Sequence, residues 1–303
     1  MGMLVVGTGA LACLFAARLV GSGTEVTMLG SWPEGLAALR QGGVRLLEMD
    51  GSTHQYPVEV VHESDTQSSF KQALVLVKSW QTERVAKQLE KCLTAAGIAL
   101  TLQNGLGNIE TLKRALGQER VALGVTTVGA RILEPGYVQH TGEGIVMIGF
   151  HPKLGEMREL LKKTGFQVVV IPDPESLLWG KLVINAAINP LTALLRVANG
   201  ELLERPAARE VMAEAAREAA LVAIRQGITL PYADPVKAVE NVAGNTAKNT
   251  SSMLQDVLRG TPTEIDAING AILQAGERLG VPTPVNRMLW RLVSGLDQHS
   301  GRI

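Results

Sequence analysis

Apolar residues of β type and apolar residues at helical spacing alternate through the first half of the chain. Met3–Val6 reads as a strand, residues 11–20 as a helix and residues 25–29 as a second strand, which together make a βαβ unit. Further β-type runs lie at 73–77, 98–102, 121–125 and 145–148, and a helical pattern at 81–96 separates the first two. A largely parallel, doubly wound α/β sheet is the simplest arrangement of these elements. Residues 43–61, with Gly51 between two β-type runs, read as a hairpin-like excursion. Beyond Ile171-Pro172-Asp173-Pro174 the β-type runs give way to long Ala-, Leu- and Glu-rich stretches at 207–226, 235–246 and 263–279. The pattern therefore predicts a sheet domain over 1–172 and an all-helical domain over 173–303.

Composition narrows the function. In 303 residues, 29 basic side chains balance 29 acidic ones, so neither nucleic acid nor an anionic membrane surface is an expected partner. A small molecule is. Cys13 and Cys92 lack the spacing of a disulfide framework or zinc site and read as reduced, buried thiols of a cytoplasmic protein. No metal is expected. The first 21 residues lack the basic start of a signal peptide, and no apolar run approaches the roughly 18 residues of a membrane span.

Gly7-Thr8-Gly9-Ala10-Leu11-Ala12 fits G-x-G-x-x-G/A between a predicted strand and a predicted helix. Gly7 allows the tight turn, Gly9 lets backbone approach a pyrophosphate, and Ala12 lets the helix pack near the sheet. The phosphates would sit on helix N-terminal N–H groups. This is the Rossmann-type dinucleotide signature; a purely structural glycine turn is the plainer alternative. The second strand ends Leu29-Gly30-Ser31, without the acidic residue that bonds a ribose 2′-hydroxyl in NAD-selective sites. NADP (NADPH) is favoured, with Ser31 as a donor to the 2′-phosphate.

Polar residues also interrupt apolar runs. Lys78 and Asn104 follow successive predicted strands at the edge where doubly wound sheets bind ligands. A snorkelling lysine and an ordinary Asn-Gly turn are the bland readings. Lys181, Asn185 and Asn189 recur every four residues in largely apolar company, forming one polar stripe on a helix that Pro190 should kink. Asn199-Gly200 reads as a helix-terminating pair. Ser252 with Gln255 fits a capping box, and Glu264 falls in the first turn of a helix begun by 261–263.

Together these residues resemble the ketopantoate reductase (2-dehydropantoate 2-reductase) family of the 6-phosphogluconate-dehydrogenase-like group. The matching segments are the Gly7 to Ala12 turn, Val77-Lys78-Ser79-Trp80, Gln103-Asn104-Gly105, Lys181 to Thr192, Asn199-Gly200-Glu201-Leu202, Ser251 to Asp256 and Thr263-Glu264-Ile265-Asp266, in family order along nearly the whole chain. The resemblance implies NADPH-dependent reduction of 2-dehydropantoate to (R)-pantoate in pantothenate and coenzyme A synthesis. It implies that the catalytic residues are Lys181, as the general acid, and Glu264. Asn104, Lys181, Asn185, Asn189, Asn199 and Ser252 match the family's substrate positions. The glycine turn, Lys78, Asn104, Ala130 and Glu264 match its cofactor positions. Gly30-Ser31 departs from the basic residue the family often places there. A homodimer is one option the sequence leaves open.

A physical mechanism suits the same residues. Hydride addition to a ketone builds negative charge on oxygen, so a proton donor is needed there. Partial burial would bring a lysine from about 10.4 toward the working range. The competing readings are a related NADP-dependent reductase of another 2-keto acid and a dinucleotide-binding sensor without catalysis.

Overall fold

The computed structural model describes residues 2–62, 64 and 69–297. Residues 1, 63, 65–68 and 298–303 of the predicted domains lie outside the described residues. The chain divides into two compact units. One holds residues up to Gln103 together with Asn108–Pro174, and the other holds Asn104–Gly107 with Glu175 onward.

Among the described residues, the first unit is built on twelve strands: β1 (Met3–Val6), β2 (Val26–Gly30), β3 (Val44–Leu47), β4 (Thr53–Tyr56), β5 (Glu59–His62), β6 (Phe70–Val75), β7 (Leu93–Thr101), β8 (Val121–Thr126), β9 (Gly129–Glu134), β10 (Tyr137–Gly142), β11 (Ile145–Gly149) and β12 (Gln167–Ile171). Its helices are α1 (Ala10–Gly21), α2 (Pro33–Gly42), α3 (Thr82–Cys92), α4 (Asn108–Leu116) and α5 (Gly155–Lys163). Eight strands form one sheet in the order β12-β11-β8-β7-β6-β1-β2-β5. It is parallel except where β11 runs against β8.

Strand β1 is buried on both faces, as a central parallel strand must be. Its alternate residues enter different cores. Met3 and Val5 join Phe15 and Leu19 of α1, whereas Leu4 and Val6 join Val85 and Leu89 of α3 and Leu112 of α4.

A second sheet, β4-β3-β10-β9, was only half legible. Residues 43–61 do contain the β3–β4 hairpin, but β3 leaves the main sheet to pair with β10, a strand the apolar pattern does not reveal. Val44, Leu46 and Val138 of this sheet share a core with α1, so that helix is covered on two sides. This explains its near-uniform apolar sequence. Arg18 of α1 reaches the second sheet's side through Glu48, at 2.8 Å. The helix predicted over 81–96 stops at Cys92, because Leu93 is buried and already pairs with Phe70 as strand. Arg120 fixes that strand start by donating to the Leu93, Thr94 and Gly97 carbonyls. Both cysteines are free and buried, and burial pushes the Cys13 thiol up to about 12.

The second unit holds α6 (Pro174–Leu195), α7 (Pro206–Arg225), α8 (Pro235–Asn245), α9 (Ser252–Leu258), a π-helical turn over Asp266–Gly270, α10 (Ala271–Leu279) and α11 (Pro284–Asp297). Alanines 215, 216, 219, 220 and 223 of α7 are buried and share a core with Trp179, Val183 and Ala187 of α6. Small residues let helices approach closely. Contrary to the sequence expectation, α6 is long and apolar enough to cross a membrane, with mean hydropathy 1.3, but 72% of that stretch is buried in the fold. It is a core helix.

Three helix ends differ from expectation. Helix α6 ends at Leu195 and is followed by Arg196, which takes a left-handed conformation (φ 55°). Asn199 then opens a 3-10 turn over Asn199–Leu202 and does not terminate the helix. The N-cap of α9 is Ser251, not Ser252, because Ser251 Oγ accepts from the Leu254 amide while Gln255 turns back to the Thr250 carbonyl. Glu264 precedes the helical segment instead of lying in its first turn.

Candidate functional site

The glycine turn links β1 to α1 in the first unit. Gly7 has φ 126°, and a Cβ there would lie 3.2 Å from the Leu76 carbonyl oxygen, so the turn can close only on glycine. Gly9 faces open space. It is the N-cap of α1, no side chain caps that end, and no acidic residue lies in its first turn. The N–H groups that begin α1 are thus available to an anion, and the turn fits a dinucleotide pyrophosphate.

The turn borders a cleft whose lining includes Gly7, Thr8, Gly30, Ser31, Gln81 and Arg84. Arg84, on the first turn of α3, is a residue the sequence reading missed. Its signal is faint, because nothing in Trp80-Gln81-Thr82-Glu83-Arg84 distinguishes a cleft-facing arginine from a solvated one.

Strands β6 and β7 end paired, Val75 beside Thr101. Lys78 and Asn104 each stand three residues beyond those partners. The chain before Lys78 is pinned by a buried amide: Gln103 Nε2 donates to the Val77 carbonyl at 3.1 Å and to Thr82 Oγ1 at 2.7 Å. Thr101 Oγ1 donates to Gln103 Oε1 at 2.9 Å, and Thr82 Oγ1 to Asn108 Oδ1 at 2.7 Å. Ala130 lies on β9, paired with His140 of β10.

The remaining candidates lie in the second unit. Lys181, Asn185 and Asn189 occupy one face of α6, with Asn189 buried and the other two half-buried. Burial lowers Lys181 from the ordinary 10.5 to about 8, with the Glu264 carboxylate acting in the opposite sense. Glu264 is buried and accepts from Asn104 Nδ2 at 3.4 Å. Asn104 comes to this unit on a turn that tolerates no side chain at its second residue. Gly105 has φ 82°, and a Cβ there would lie 2.6 Å from the Ala267 carbonyl oxygen. The Leu106 amide donates to that same oxygen at 2.9 Å.

Ser252 and Asn199 are placed by their neighbours. The Ser251 and Thr192 hydroxyls meet at 2.7 Å, which ties the start of α9 to α6 one turn beyond Asn189. Asn199 Nδ2 donates to Thr246 Oγ1 at 2.9 Å. Its Oδ1 is buried and has no hydrogen-bond partner among the described residues, so it keeps an acceptor to spare.

Residues 3–153 match the family Ketopantoate reductase PanE/ApbA, and residues 173–297 match its C-terminal partner. The 2-dehydropantoate 2-reductase of Halobacterium salinarum is 34% identical over 99% of this chain and 100% of its own length. Among solved structures, the PanE/ApbA family ketopantoate reductase of Ralstonia eutropha JMP134 superposes with a TM-score of 0.92 at 30% identity, covering 100% of both chains. D-mandelate dehydrogenase bound to NADH and anilino(oxo)acetate has a TM-score of 0.93 at 24% identity over 99% of this chain and 100% of its own, a likeness of fold. Two family matches in tandem, and relatives alike from end to end, place this chain in the ketopantoate reductase PanE/ApbA family.

Proposed function

We propose that this protein reduces 2-dehydropantoate to (R)-pantoate with NADPH, a step toward pantothenate and coenzyme A. The observation that carries the reading is Lys181, brought to about 8 by burial within reach of Glu264's field and standing in line with the Asn185 and Asn189 amides. The dinucleotide, held by its pyrophosphate on the glycine turn, would supply the hydride from its reduced nicotinamide. Lys181 supplies the proton. At pH 7 an ammonium of this acidity is roughly nine-tenths charged, yet it gives up its proton far more readily than a solvated lysine. Its positive charge stabilises the alkoxide forming on the substrate's C2 oxygen, and Nζ then delivers the proton to that oxygen.

Asn185, Asn189, Asn199 and Ser252 hold the carboxylate and hydroxyl of the substrate. Amides and hydroxyls orient an anion without a second cation that would compete with Lys181. Glu264 keeps Lys181 charged and, through Asn104, fixes the turn that follows β7. Steady-state kcat/KM over a panel of aliphatic and aromatic 2-keto acids tests the assignment. 2-Dehydropantoate is expected at the top of that panel. A related 2-keto acid preferred by tenfold or more would move the substrate assignment, and inactivity on all of them would reject the reductase reading.

A further inference from the structure

Strand β2 ends at Gly30, where NAD-selective sites carry a ribose-binding carboxylate. Here the Thr8 side chain occupies the space that a side chain at this position would enter. A Cβ on Gly30 would stand 2.6 Å from Thr8 Cγ2 and 3.1 Å from Thr8 Oγ1, and Thr8 is itself buried inside the glycine turn. The turn residue thus fills the volume the carboxylate would need. The following Trp32 is held in place as well, since its ring lies over Gly35, where a Cβ would meet Trp32 Cδ2 at 2.9 Å. The β2 side of the cleft is therefore packed by Thr8 and Trp32, and it presents Ser31 as its hydroxyl.

Charge enters from the other wall. Among the described residues lining this cleft, Arg84 is the one carrying positive charge, and no Asp or Glu lines it. Arg84 lies on the first turn of α3, where the helix's positive end adds to its own charge. Resting on the reading of the chain as a nicotinamide-dinucleotide reductase, we infer that Arg84 and Ser31 form the seat of the adenosine 2′-phosphate. Selectivity for NADPH then comes from α3, and the Thr8–Gly30 contact removes the side chain that would select NADH. A guanidinium meets a phosphate with paired, charge-assisted hydrogen bonds, which a ribose hydroxyl cannot return.

Isothermal titration of the whole protein with NADPH, NADH, adenosine 2′,5′-bisphosphate and ADP tests this without turnover. Arg84→Ala should weaken NADPH and the 2′,5′-bisphosphate by roughly 10- to 100-fold, while NADH and ADP shift by less than about twofold. Retained NADH binding also shows that the variant is folded. Arg84→Lys should recover part of the loss. Equal losses for both dinucleotides, or no loss for either, overturn the seat and leave the reductase reading standing. Wild-type protein that binds NADH as tightly as NADPH overturns both the seat and the cofactor preference. Wild-type protein that binds neither overturns the reductase reading itself.

Discussion

The side-chain amide of Asn269 donates to the Ala186 carbonyl at 3.0 Å, supplying the hydrogen bond that Pro190, four residues along α6, has no N–H to make. Both Asn269 and its second acceptor are fully enclosed. Asn269 Nδ2 also donates to Asn286 Oδ1 at 3.0 Å, and Asn286 Nδ2 reaches the Ala215 carbonyl and Glu218 Oε2. A single buried chain of amides therefore links the helix of Lys181, Asn185 and Asn189 to the π-helical turn that follows Glu264, and onward to α7 and α11.

Asn269→Ala should destabilise the protein by about 2–4 kcal/mol, because it strands the Ala186 carbonyl and Asn286 Oδ1 in the interior. Adding Pro190→Ala returns an N–H to the Ala186 carbonyl, so the double variant should recover part of that loss. Urea unfolding of the four-member cycle measures the coupling. Identical effects of Pro190→Ala in both backgrounds would show that Asn269 does not stand in for the missing donor.

Lys181→Ala should reduce kcat by about 10²- to 10⁴-fold while leaving the dissociation constant of NADPH nearly unchanged, since a general acid acts mainly in the transition state. Stopped-flow binding beside steady-state rates separates the two. An unaltered kcat would remove Lys181 from the chemistry.

Alkaline pH should affect activity and stability in opposite directions. Lys181 is about 8 in the folded protein against an ordinary 10.5, so kcat should fall as pH rises through 8. Between those two values the unfolded chain binds more protons, and the Lys181 contribution makes the fold more stable as pH rises. Below about 8 the cost of enclosing the ammonium is fully present. Glu264→Gln removes the charge that raises Lys181, so the alkaline limb of the kcat profile should move to lower pH. A limb that stays in place would show that the carboxylate does not act on the lysine.

Gly105→Ala should cost about 1–3 kcal/mol or more, because a left-handed backbone and the Ala267 carbonyl both oppose a methyl group there. Displacing Asn104 from Glu264 should also raise KM for the keto acid. Wild-type stability and KM in this variant would show that the turn relaxes freely.

Local patterns made part of this molecule legible in advance. The strand, glycine turn and helix of residues 3–21 are contiguous, and the α6 stripe follows the helix period, so both could be read from spacing. What stayed hidden depends on distant partners. Strand β10 has a mixed pattern that makes sense only when β3 lies beside it. Arg84 gains meaning from a cleft whose other wall is about fifty residues earlier in the chain. Ser251 and Ser252 are equally good caps on paper, and the choice falls to Ser251 because Thr192 waits for its hydroxyl.

The Asn104–Gly107 turn constrains how this protein can be taken apart or recombined. Four residues from the middle of the sheet-forming sequence belong to the helical unit, and their hydrogen bond to Glu264 spans 160 positions. No single cut of the chain separates the two units cleanly. A fragment beginning at Glu175 would lack the ligand of its buried carboxylate, and a chimera that exchanges helical halves at the Pro172–Pro174 junction must exchange this turn as well.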